Sequence, residues 1–228
     1  MELKMRFLIA LSLLLVSSLL CSAQVLADSP LTSADFSLAY TDSDWVVRAA
    51  EVGLDEKLME ALADPAVGQD ERAAIVNALG WSVAGRDNAA AFVGHTARAH
   101  EVRVEALTLE TLTDQELFAT GYLLAMDDTK ALVAKCGAPA LDELGALGLL
   151  EAAAGRNPNS FSVALVLSLV RAQAAMRRDW CEVYRTVFTV IDGFSGARDL
   201  RKDGIAIVAE TLQLYQGECA HPRPVQGP

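Results

Sequence analysis

"LADPAVGQDERAAIVNALGWSVAGRDNAAAFV", residues 62–93, alternates helix-forming runs with breakers, and whether it is one hairpin or one unit of an array decides the fold. Leu54, Leu58 and Leu62 fall on one helical face. Asp64-Pro65 should stop that helix, because the residue before a proline is pushed out of the α region. Ile75, Ala78, Leu79 and Ser82 then recur at i, i+3, i+4 and i+7, with Asp70 available as N-cap and Gly85 as terminator.

Self-similarity tests the alternatives. "ALGWSVAGRDNAAAFV" from Ala78 and "ATGYLLAMDDTKALV" from Ala119 share Ala, Gly, an aromatic, an aliphatic, Ala, Asp, Ala and Val with one gap, placing Gly80 and Gly121 41 residues apart. The preceding helices also rhyme, "EALAD" ending at Asp64 and "ETLTD" at Asp114, and "QAAMRRDWCEVY" from Gln173 is a fainter third echo. A period near forty residues built from paired helices is what an α-solenoid needs, since one hairpin cannot bury its own apolar face.

These residues resemble a HEAT-type repeat, best over 54–93 and more weakly at 110–133. Leu58 and Leu62 stand in the first helix, Asp64 and Pro65 in the turn, Arg72 early in the second helix and Ala78-Leu79-Gly80 near its end. The second copy keeps Asp114, Ala119 and Gly121 but lacks the arginine and the proline. The resemblance implies an all-α fold of stacked helical hairpins, a short irregular α-solenoid. An irregular multi-helix bundle is the alternative.

Helices are expected near 45–63, 71–84, 88–100, 103–112, 114–126, 128–135, 139–154, 160–177, 180–192 and 203–216. Thr113 and Glu116 have capping-box spacing. "FSVALVLSLV", 161–170, is apolar all round and marks a central helix. Trp180, Val183, Tyr184, Val187 and Ile191 form a stripe, and so do Ile205, Val208, Ala209, Leu212 and Tyr215. Trp45 and Trp81 read as packing residues of amphipathic helices.

Residues 1–27 read as a signal peptide. Lys4 and Arg6 precede an apolar run from Phe7 to Leu20, and Val25-Leu26-Ala27 suits cleavage before Asp28. The expected location is therefore periplasmic or extracellular. Lipidation at Cys21 is the runner-up, disfavoured by the bulky Leu20 before it. A lead-in at 28–44, one helical domain over 45–219 and a Pro-rich tail at 220–228 complete the organisation. The net charge of −11 becomes −12 without residues 1–27, which carry Lys4, Arg6 and Glu2. Such a surface repels phosphate backbones and anionic lipid, so neither nucleic-acid binding nor a stable membrane anchor is expected.

Chemical motifs are sparse, and no cofactor or metal is expected. His95 and His100 are five residues apart, which sets the rings ~140° apart on a helix, whereas a shared zinc needs i, i+4 spacing. Asp127-Asp128 reads as a helix cap, and the basic cluster Arg198, Arg201 and Lys202 as locally paired with Asp199 and Asp203. Two functions follow: a scaffold binding a protein or peptide on its concave face, or an envelope hydrolase with His95, Glu101 and Asp127 as candidate catalytic groups. Cys136, Cys181 and Cys219 remain after the signal. An antiparallel hairpin of the last two helices brings Cys181 beside Cys219, predicting that disulfide and a free Cys136.

Overall fold

The computed structural model describes residues 29–81, 87–127 and 131–220. Among them the fold is all-α, with eleven α-helices and short 3-10 turns. They are α1 (Pro30–Ser33), α2 (Asp44–Val52), α3 (Glu56–Ala63), α4 (Gln69–Leu79), α5 (Asn88–Ala99), α6 (Asp114–Met126), α7 (Leu132–Cys136), α8 (Pro139–Arg156), α9 (Phe161–Ala175), α10 (Trp180–Gly193) and α11 (Lys202–Gln213). The expected signal peptide, Asp128 and nearly all of the Pro-rich tail lie outside the described residues.

The helices stack in two tiers. In one tier α2 packs on α4, α4 on α6 and α6 on α8; in the other α3 packs on α5 and α5 on α7. Contacts of α2 with α3, α5 with α6 and α7 with α8 join the tiers. Helix α9 then crosses the first tier against α4, α6 and α8, so the surface where a solenoid would keep its binding face is covered by the chain itself. Helix α10 packs on α9, α11 on α10, and α11 returns to the 3-10 turn Phe36–Tyr40 near the start of the fold. The segment read as a lead-in is thus part of the core, with Leu31, Phe36 and Tyr40 buried.

The expected helix 45–63 is two helices. Gly53, at φ 80° and ψ −173°, occupies a backbone region that essentially only glycine enters, and Asp55 then caps α3 by accepting from Leu58 N at 3.0 Å. The predicted N-cap Asp70 lies instead in the first turn of α4, where its carboxylate accepts from the Tyr40 hydroxyl at 3.1 Å; Gly68 holds the cap position. Helix α4 ends at Leu79, before the expected 84. The expected helix 103–112 is a 3-10 turn at Val104–Ala106 followed by a loop. There the Thr111 hydroxyl bonds both Thr108 N and Thr108 O at 2.9 Å, competing with helical pairing. Arg156 completes the loop by donating to the carbonyls of Leu109 and Leu112.

Helix α9 is buried around nearly its whole circumference from Phe161 to Val170, as its sequence requires. Helices α4 and α6, read as one-faced, are likewise buried all round from Arg72 to Leu79 and from Glu116 to Met126. The layer crossing above them removes the solvent face that a regular array would leave. The 41-residue echo does not pair equivalent positions: Gly80 caps the end of α4, whereas Gly121 lies mid-helix in α6. Their aromatic neighbours differ too, Trp81 being 45% exposed and Tyr122 fully buried. Trp81 is therefore not the packing residue its helix suggested.

Arg72, the arginine shared with the HEAT pattern, is fully buried. Its guanidinium donates to the carbonyls of Leu62 (2.8 Å), Asp64 (2.6 Å) and Val67 (3.0 Å) and to the Gln69 side chain. These bonds satisfy the end of α3 and the turn after it. A second buried link runs through Asn77, which donates to Ala34 O (3.2 Å) and the Tyr122 hydroxyl (3.3 Å) and accepts from Ser37 N (2.9 Å).

The last two helices form the expected hairpin, and Cys181 is bonded to Cys219 with the Cα atoms 4.6 Å apart. Cys136 is free and half-buried. On α10 the core-facing residues are Cys181, Val183, Val187 and Ile191, whereas Trp180 is 42% exposed, against its reading as part of that stripe. Against the expectation, Arg198 and Arg201 do not pair with Asp199 or Asp203. Arg201 pairs with Asp42 and covers the Tyr40 ring at 4.2 Å, and Arg198 donates to Ile191 O. Asp199 accepts from Ser162 N (2.7 Å), tying the loop to the start of α9.

Candidate ligand cleft

A cleft of about 420 Å³ opens where α1, the end of α6, the middle of α8 and the end of α9 meet. Its position depends on Gly145, where α8 kinks at φ 61° and ψ −177°, again a glycine-only conformation. The sequence reading took α8 as continuous; the kink turns Ala146 and Leu147 into the cleft wall. Buried Leu31, Ala125 and Val170 line it too, and Leu147, 38% exposed, stands at the rim. Ala174 and Met176 complete the apolar lining.

Only two lining residues are polar, Gln173 and Arg177. The Gln173 side-chain oxygen accepts from the Ser29 hydroxyl, which leaves one lone pair on that oxygen and both amide N–H groups as its remaining hydrogen-bonding capacity. Arg177 is exposed, and no carboxylate pairs with it among the described residues. At the end of α9 the Ala175 carbonyl accepts from Arg178 N (2.8 Å) and Asp179 N (3.0 Å), whereas the carbonyls of Gln173 and Ala174 are left for solvent or a ligand donor. The lining therefore combines aliphatic side chains with both hydrogen-bond donors and acceptors.

The three candidate catalytic residues have separate surroundings. His95 Nδ1 lies 3.0 Å from Glu56, an exposed carboxylate that also meets Arg98 at 3.7 Å. Glu101 is exposed just past α5 at φ 56° and closes that helix. Asp127 is buried at the C-cap of α6, where its carboxylate accepts from Ala89 N at 2.8 Å and so caps the start of α5. The capping role read from the sequence holds, with a different helix as beneficiary. His100 sits 3.0 Å from Glu116, which also accepts from Thr113 N at 2.8 Å in the predicted capping box. The two histidines serve different carboxylates, and among the described residues no group of three His, Cys, Asp or Glu could hold a metal ion.

Sequence reasoning missed the cleft. Its one local signal was Gly145 in "DELGALG", an interruption in an otherwise helical run. Its other walls come from helices distant in sequence, which periodicity does not bring together. No family model, curated protein or solved structure matches this chain.

Proposed function

We propose that the chain is an exported helical scaffold, of HEAT-like stacked pairs closed by α9, that binds a protein or peptide through the cleft between α6, α8 and α9. The observation that carries the reading is a cleft of about 420 Å³ whose lining side chains are aliphatic apart from Gln173 and Arg177. One face of the first tier is occupied by α9, so the reading places binding at the end of the stack rather than on that face. The disulfide is consistent with an oxidising compartment, and no described helix is long and apolar enough to cross a membrane.

Selection of displayed random peptides on the protein, run in parallel on Leu147→Asp, tests this. The wild type should enrich aliphatic sequences, and the variant, with a charge on the cleft rim, should not. No enrichment, or equal enrichment on the variant, would overturn the proposal.

A further inference from the structure

We propose that the polar edge of the cleft seats the protein's own mature N-terminus, with the ammonium of Asp28 against the free carbonyls at the end of α9 and the Asp28 carboxylate against Arg177. This rests on the expected cleavage before Asp28 and not on the peptide-binding reading. Its anchor is Ser29. The Ser29 hydroxyl donates to the Gln173 side-chain oxygen and accepts from Thr32 N (3.3 Å), while the Ser29 carbonyl accepts from Ser33 N (2.8 Å), so the residue is fixed against the cleft wall. Covalent geometry then limits where the preceding residue can put its nitrogen. Whatever its torsions, that atom lies within ~5 Å of the Ser29 Cα, which keeps it beside Gln173 at the C-terminal end of α9.

Cleavage changes what stands at that point. Hydrolysis of the Ala27–Asp28 peptide bond by a signal peptidase adds one water: Ala27 leaves with a carboxylate, and Asp28 keeps an amine that is mostly protonated at neutral pH, its ordinary pKa being ~7.7–8.0. A neutral amide with one N–H becomes a cation with three donors. The end of α9 supplies acceptors for it, because the carbonyls of Gln173 and Ala174 and one lone pair of the Gln173 side chain are unfilled, and the helix dipole adds negative potential there. The same potential repels the Asp28 carboxylate. Arg177, which has no carboxylate partner among the described residues, offsets that repulsion. Acceptors and a cation side by side suit a residue that carries both charges, as an N-terminal aspartate does. An exposed arginine holds a free ligand weakly, but the one-residue tether to Ser29 makes this contact intramolecular and raises the effective concentration.

Urea unfolding of two preparations, one released from a carrier to begin at Asp28 and one to begin at Ala27, tests the inference. The extra residue carries the ammonium ~3.5 Å further along the chain. The form beginning at Asp28 should have an unfolding constant about three- to five-fold smaller. Asp28→Asn should raise that constant about two- to four-fold in the wild type and should not raise it in Arg177→Gln, where the carboxylate has no partner. Arg177 is exposed, so these variants keep the fold. Equal unfolding of the two starts overturns the inference, and so does an Asp28→Asn effect that persists in full without Arg177. The intact mass of the exported protein decides the cleavage reading separately. A start away from Asp28 overturns the inference as well, and leaves peptide binding to be decided by the displayed-peptide selection.

Discussion

Arg72 shows how much one side chain can hold. Burial pushes its pKa down to about 10, so the guanidinium is still charged at neutral pH, and the cost of that buried charge is offset by three carbonyls and Gln69. Arg72→Ala removes the donor and strands the carbonyls of Leu62, Asp64 and Val67. Urea unfolding should register a loss of about 3–5 kcal/mol, and Arg72→Lys should recover less than half of it, because an ammonium cannot fork to the same acceptors. A loss below about 1 kcal/mol would show that the turn holds without it. Glu101 predicts the opposite sign. It sits at φ 56°, with Val102 N bonded to Ala97 O (3.0 Å) and Glu101 N to Arg98 O (3.1 Å), the helix-ending pattern that normally takes glycine. Glu101→Gly should stabilise the protein by about 1 kcal/mol, read as a raised melting temperature; a fall would mean the Glu101 side chain makes a contribution of its own.

At the scale of elements, the sequence was most legible where one local device decides the outcome. Thr113 and Glu116 announced the start of α6, and the unbroken apolar run announced α9 as central. It was least legible where a glycine interrupts an otherwise helical run. The end of α5 was placed within a residue although the residue that closes it is Glu101 and not glycine, whereas Gly53 and Gly145 looked like tolerated helix residues rather than breaks. The cleft depends on the last of these and on helices far apart in the chain, so periodicity could not reveal it. Gly121 is a different case, a glycine held by packing. A Cβ there would lie 3.0 Å from Leu149 Cβ and 3.2 Å from Leu150 N, where α6 crosses α8. Helix propensity alone favours Gly121→Ala by ~1 kcal/mol. Overpacking against the backbone costs ~1–3 kcal/mol and should win. The variant should therefore unfold at lower urea; a rise in midpoint would show that α8 yields at no cost.

For the whole molecule the decisive feature is that the stack is not open-ended. A solenoid couples each repeat only to its neighbours, so its ends can unfold separately. Here α9 packs on α4, α6, α8 and α1 while carrying α10, and α11 returns to the 3-10 turn Phe36–Tyr40. Arg201 reinforces that closure through Tyr40, Asp42 and the Ala39 carbonyl. No large part of the fold can therefore leave without uncovering α9. Three tryptophans report on separate regions: Trp45 on α2, Trp81 after α4 and Trp180 on α10. Versions retaining one tryptophan each should show urea transitions that coincide with one another and with the loss of helical circular dichroism. Leu165→Ala, at a fully buried position in α9, should move all the transitions down together, by about 2–5 kcal/mol in stability. A Trp180 transition well below the other two would show the C-terminal hairpin unfolding alone, and the molecule would then behave as the open array its sequence suggested.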